Sequence, residues 1–353
     1  MAGFSPCRTR ASSARISRSS HGGLWPNGLD VLGDLGVRER VCRLGNTSAD
    51  YRLRTASGRV DTTIEFPNVG PEPGFVVVHR ADLHEALLET VPEQRVQFGT
   101  TVEAIRERAD TVDVELSTGE TRDYDLVVGA DGVGSAVRRL CFDSEFLDPV
   151  DTGVWSFWTE ATAPFPEEIT SLSGPATEAI LVEIDGRGLV NVATKLESED
   201  EPAPTADRLR TVLEELGWVL PATLDRRTGP LFADHVREVT MDRWIRDRIA
   251  LIGDAAHAVH PISGMGAALA FEDARTLADR VDRSSTVPGA LEGYFRDREA
   301  DVRSVQRDTA VMEPFLLADS RALRLLRDGV LSATPLVEWA LRRRIRALTP
   351  NEA

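Results

Sequence analysis

Lysine is almost missing from this chain: Lys195 is the single one among 41 basic residues, so nearly all positive charge is arginine. Cysteine is scarce too. Cys7, Cys42 and Cys141 fall at no metal or redox spacing, and an odd count builds no closed disulfide framework. They read as reduced thiols, which suits a cytoplasmic protein. No apolar run approaches the roughly 18 residues of a membrane span, so none is expected. Basic charge is outweighed as well, 57 acidic residues against 41 basic giving a net charge of −16. That surplus repels phosphates over most of the surface and argues against nucleic acid as a partner. Acid-rich, lysine-poor composition fits a high-salt cytoplasm or a genome that favours arginine codons, and both readings stay open.

What is present is orderly from Leu24 onward. LWPNGLDVLGDLG (24–36) sets Leu29, Leu32 and Leu35 at helical spacing with Gly36 as its stop. Alternation predicts strands near 51–66 and at 75–79, followed by a helix from Arg80 to Val91. A hairpin is expected over 101–107 and 111–117, then a short buried strand in YDLVVGADG (124–132). Further strands are expected at 153–160, 178–186 and 189–195, with a helix at 205–216. A buried strand at 248–254 then precedes a helix from about Gly264 to Val281. The tail over 289–347 reads as helical, broken at Pro314 and Pro335. The pattern is a split α/β domain interrupted by antiparallel strands and closed by C-terminal helices.

RIALIGDAAHAVHPISGMGAALAFEDA (248–274) is the most specific stretch. A buried strand ends in Gly253-Asp254, a loop runs through His257 and Pro261, and Gly264 and Gly266 open a helix. Asp254 at a strand end can accept hydrogen bonds from the hydroxyls of a sugar chain. The glycines let backbone approach a flat ring. A helix N-terminus offers free amides and about half a positive charge to a ring that becomes anionic on reduction. His257 and His260 lie three apart, but no third ligand joins them at metal spacing, so no metal site is expected.

This stretch resembles the second FAD-binding motif of the para-hydroxybenzoate-hydroxylase-like flavin monooxygenases, the aromatic-ring hydroxylase family. The resemblance assigns the ribityl chain of FAD to Asp254, and places Pro261, Gly264, Met265 and Gly266 beside the isoalloxazine, with Gly253 shaping the strand end. DLVVGADGVGSAVRRL (125–140) resembles the family's middle motif, with Asp131, Gly132, Ser135 and Arg138 at matching positions. Arg138 is then a phosphate partner, since guanidinium hydrogen bonds are charge-assisted and bidentate. VHRADLHEALL (78–88) resembles the strand-to-helix junction whose arginine reaches the cofactor, which gives that role to Arg80. The similarity runs from about Leu24 to about Arg298 and weakens over 140–240.

The fold class implied is α/β, α+β overall. It comprises a Rossmann-like FAD-binding domain (24–50, 78–149 and 245–288), interrupted by an antiparallel substrate-side sheet (51–77 and 150–244), with C-terminal helices over 289–353. The activity implied is that of a monooxygenase that takes NADPH or NADH and dioxygen and oxidises a small aromatic or olefinic substrate; the cofactor supplies the chemistry and no side chain is assigned as acid or base. The flavin-face loop at Pro261, Gly264 and Gly266 is the expected reactive face. A flavin reductase or dehydrogenase on the same fold, or a truncated and inactive flavoprotein, are the alternatives.

One signature is missing. No Gly-x-Gly-x-x-Gly occurs before residue 60, where a dinucleotide fold begins. Residues 1–23 are rich in Ser and Arg and contain no acid. We read about Cys7 to Gly22 as frame-shifted text, so that the nucleotide domain is N-terminally incomplete; a transit peptide or a disordered tail are the rivals.

Overall fold

A computed structural model describes residues 8–10, 21–48, 50–65, 73–142, 147–162, 164–197, 205–335, 337–339 and 343. Its largest element is a seven-stranded sheet. Across it run Arg227–Val239, Leu147–Glu160, Arg187–Lys195, Thr177–Ile184, Ile169–Gly174, Asp50–Thr55 and Asp61–Glu65. All neighbours are antiparallel except Ile169–Gly174 against Asp50–Thr55. Asp185 and Gly186 close one hairpin with φ of 51° and 71°, the left-handed pair a two-residue turn requires.

The two faces of this sheet have different covers. Trp155, Phe157, Leu181, Val190 and Val192 meet Leu209, Leu213 and Leu216 of the amphipathic helix Ala206–Leu216. On the opposite face Trp158, Ile169, Val182 and Leu189 pack against Val77, with Phe75 beside them. That second face turns toward the nucleotide side of the molecule.

The nucleotide side is assembled from short pieces. Val127–Gly129 runs parallel to Ile249–Leu251, and Arg8–Arg10 runs parallel to Val96–Phe98. No hydrogen bonds among the described residues join these two parallel pairs into one sheet. His21–Leu24 and Val76–His79 form an antiparallel pair, and Val102–Glu107, Val112–Leu116 and Thr121–Tyr124 form a meander. The helix Gly266–Arg283 and the long helix Val287–Leu316 pack on the strand ends, and Arg321–Ser332 follows.

Several expectations shift. The N-terminal stretch read as foreign supplies strands at Arg8–Arg10 and His21–Leu24, with Leu24 fully buried; residues 1–7 and 11–20 lie outside the described set. Val76–His79 pairs with His21–Leu24 rather than joining the large sheet. Pro314 does not break its helix, which continues to Leu316. It sits in the last turn, where the missing N–H and ring clash affect only one turn before the chain leaves the helix anyway. Pro335 follows a helix that has already ended at Ser332. Among the described residues no helix is long and apolar enough to cross a membrane.

A candidate flavin site

The site is built where Ile249–Leu251 ends. Gly253 takes a left-handed φ of 57°, and a Cβ there would come within 2.9 Å of the Ala270 side chain, so only glycine lets strand and helix meet this closely. Asp254 follows with its side chain in the open, and no hydrogen bond or ion pair to it exists among the described residues. Its carboxylate lies near Gly266, with 3.6 Å between Oδ1 and the place a Gly266 Cβ would occupy. Gly266 starts an 18-residue helix whose N-terminus has no side-chain cap. Unspoken-for amides and a free carboxylate therefore share one crevice.

Pro261–Ser263 forms a single 3₁₀ turn, closed by Gly264 in the left-handed region at φ 63°. Pro261 and Gly264 are exposed, while Ser263 and Met265 are buried, with Ser263 Oγ accepting from the Met265 N–H at 3.2 Å. The loop is thus anchored from beneath and bare on its outer surface. Trp25 Nε1 donates to Gly264 O at 3.0 Å, and Trp25 stands edge-on to Phe75 at 5.1 Å. This pair of rings ties the loop to the face of the large sheet that carries Trp158 and Leu189.

Two of the named residues bind the protein's own groups. Asp131 accepts from Ser135 Oγ and from the Ala136 and Val137 N–H groups, which fastens the glycine turn to the helix Ala136–Cys141. Gly132 in that turn has φ of 79°. Arg138, expected as a phosphate partner, is only 4 % exposed and donates to the carbonyls of Val133 and Ala255. Its guanidinium clamps the middle motif onto the 253–255 strand end. Arg80 does reach solvent, at the head of the helix Arg80–Leu88, with no ion pair among the described residues.

Beneath the loop lies a buried network that the motif reading missed. His257 Nε2 lies 2.6 Å from Asp273 Oδ2, the same oxygen accepts from Gly253 N–H at 2.9 Å, and Arg298 Nε donates to Oδ1 at 2.9 Å. Burial would raise the Asp273 carboxyl, but His257, Arg298 and the Gly253 N–H outweigh it and hold it below the usual range. Tyr294, one turn before Arg298, donates to Leu251 O at 3.0 Å. The signal was there in the sequence. Asp273 lies four residues from both Leu269 and Leu277 on the buried stripe of its helix, and Arg298 lies between Tyr294 and Val302 on the next.

A separate cavity of about 690 Å³ opens at one end of the large sheet's strands, lined by His79, Trp158, Arg187 and Pro230 among others. It adjoins the residue before Arg80, not the Pro261–Gly264 loop.

The bare loop, the left-handed glycines, the free Asp254 carboxylate and the uncapped helix suit a flat ring joined to a hydroxylated chain. They fit FAD. The architecture is that of flavin-binding oxygenases. Residues 10–309 match the FAD binding domain family, and the chain belongs to it as an FAD-dependent monooxygenase. It is 30% identical over 262 residues to the 2-heptyl-3-hydroxy-4(1H)-quinolone synthase of Pseudomonas aeruginosa, covering 72% of this chain and 69% of that protein. It is 27% identical over 316 residues to the putative FAD-dependent monooxygenase YetM of Bacillus subtilis, covering 86% and 85%. The fold is shared with Klebsiella pneumoniae HpxO, solved with FAD and uric acid, at a TM-score of 0.85 and 23% identity over 97% of this chain and 90% of that one.

Proposed function

We propose that this monooxygenase takes its electrons from NADH or NADPH and oxidises a small aromatic or olefinic molecule in the cytoplasm. The observation that carries the cofactor assignment is the pairing of an unengaged Asp254 carboxylate with the uncapped start of Gly266–Arg283 beneath an exposed Pro261–Gly264 surface. Bound there, FAD supplies the redox and oxygen chemistry. The protein supplies position. Asp254 would hold the ribityl hydroxyls, the Gly266 amide at the uncapped helix start would meet the ring, and Arg80 would reach the cofactor. Gly253, Asp131, Gly132 and Arg138 fix the strand ends between them. The face bearing Trp158 and Leu189 in the large sheet is the substrate-side wall, and its apolar lining keeps bulk water from the ring.

Asp254→Ala removes charge-assisted hydrogen bonds of about 1.5–3 kcal/mol, or roughly ten- to a hundred-fold in FAD affinity. Titration of FAD by fluorescence reads this directly, and equal affinity for parent and variant would reject the assignment. Turnover under labelled dioxygen, followed by mass spectrometry, should place one heavy oxygen atom in the product. Reduction of substrate with no label incorporated would favour the reductase alternative.

A further inference from the structure

None of the residues assigned to FAD lines the cavity of about 690 Å³ at the end of the large sheet's strands. Its size falls within the range of small-molecule sites, about 300–1,000 Å³. Trp158 lines it and is only 3% exposed, with Leu189 as its neighbour on one strand and Thr228 on the other. The His79 imidazole meets the indole edge-on at 5.2 Å. Arg187 lies over the same ring, with 4.3 Å between its guanidinium carbon and the ring centroid.

That position of Arg187 departs from what the register favours. Glu160 and Arg187 are direct cross-strand partners, and such a pair of opposite charges ordinarily meets. Here the guanidinium lies over its diagonal neighbour instead, and no hydrogen bond or ion pair to it exists among the described residues. The ring's face offsets the charge but occupies none of the five N–H donors. An exposed guanidinium is thus held in one place at a cavity wall with its donors unspent.

The surroundings favour an anion. Arg226 donates to Thr162 Oγ1 at 3.0 Å and Arg227 to the Gly229 carbonyl at 2.7 Å, both on lining residues. Against three guanidinium groups the lining supplies one carboxylate, Glu160, with Asp185 in the adjoining turn. In a chain of net charge −16 this is a local reversal of sign. Gly186 and Gly229 also line the cavity, and a Cβ on either would meet nothing within 4 Å, so no side chain narrows it there. We propose that this cavity is a second small-molecule site, taking a flat aromatic carboxylate. The carboxylate meets the N–H fork of Arg187, and the ring packs along Trp158, His79 and Pro230. The site does not depend on the Pro261–Gly264 loop being the reactive face.

The test uses the full chain with FAD in excess and three probes. They are 2-naphthoate; 2-naphthalenemethanol, which keeps the flat ring without the charge; and decahydro-2-naphthoate, which keeps the charge without the flat ring. Calorimetry should show saturable binding of 2-naphthoate, tighter than that of either other probe. Arg187→Gln should weaken 2-naphthoate about ten- to a hundred-fold, the worth of a charged hydrogen bond, and leave the alcohol as it was. Glu160→Gln should act in the opposite direction and tighten 2-naphthoate. Both side chains are exposed, so the fold tolerates either change. Absence of saturation with 2-naphthoate, parental affinity in Arg187→Gln, or weaker binding in Glu160→Gln overturns the proposal. Flavin fluorescence on the same samples should not respond to the ligand; release of FAD by 2-naphthoate would put the ligand at the flavin site and overturn it too.

Discussion

In the large sheet, strands of up to 14 residues pair over long registers, whereas on the nucleotide side the paired strands run two to six residues. The first region buries both faces under apolar side chains. The second leaves Val128 38% and Phe98 47% exposed on its parallel strands. Short ladders supply few backbone hydrogen bonds, and the nucleotide side makes up the difference with buried polar clamps: Asp273 with His257 and Arg298, Arg138 with two carbonyls, Asp131 with a helix start. The sheet is held by area and ladder; the cofactor region is held by a few charged side chains. A region of the second kind can be aimed at a ligand through single residues, and it can be broken through them too.

Four measurements sharpen or break this contrast. Asp273→Ala strands a buried arginine and should lower unfolding stability by about 3–5 kcal/mol, read by urea denaturation. A loss near the surface value of under about 1 kcal/mol would show that the clamp is not what holds this side together. Leu181→Ala, in the core of the sheet, should lose about 2–5 kcal/mol through transfer and cavity terms yet keep parental FAD affinity. Loss of FAD binding in that variant would mean the two regions are not separable.

The third concerns acid. His260 has its pKa pushed down to about 4 by burial, against the nearby charge of Asp151. The unfolded chain therefore binds the extra proton first. The His260 contribution is fully present above about pH 6.5 and is lost as pH falls toward 4. His260→Asn should flatten that limb of the stability–pH curve, by about 3 kcal/mol at most; an unchanged limb would place the acid sensitivity elsewhere. The smallest effect is expected from Asp131→Ala, which removes the acceptor at a helix start for about 0.5–2 kcal/mol. Thermal melting measures it, and the absence of any change would remove Asp131 from the set of clamps.

Much of this was readable from residues. The strand Ile249–Leu251 (expected to run on to Gly253-Asp254), the loop at Pro261 and the helix from Gly266 follow from an apolar run, left-handed glycines and a helical stripe, all local signals. The strand Ile169–Gly174 was not foreseen, because every one of its residues is buried and Ser and Thr mask the alternation. Arg227–Val239 hid for another reason: it carries Gly229 and Pro230 near its start and pairs through a bulged register. The carbonyls of Val133 and Ala255 that Arg138 donates to were not foreseen, since sequence shows an arginine near a crevice but not which backbone surrounds it. The Asp273 network joins residues 16 and 25 positions apart, and only the packing of two helices against one strand end brings them together.

Lys195 is the chain's only side-chain amine, and it sits half-buried at the end of the strand Arg187–Lys195, within electrostatic reach of Glu313. Acylating and cross-linking reagents, which scatter over the surface of most proteins, find here a single side-chain address. Its labelling rate becomes a one-site gauge of how open that end of the large sheet is. Any change that covers that end should shield the amine, and no lysine elsewhere would blur the signal.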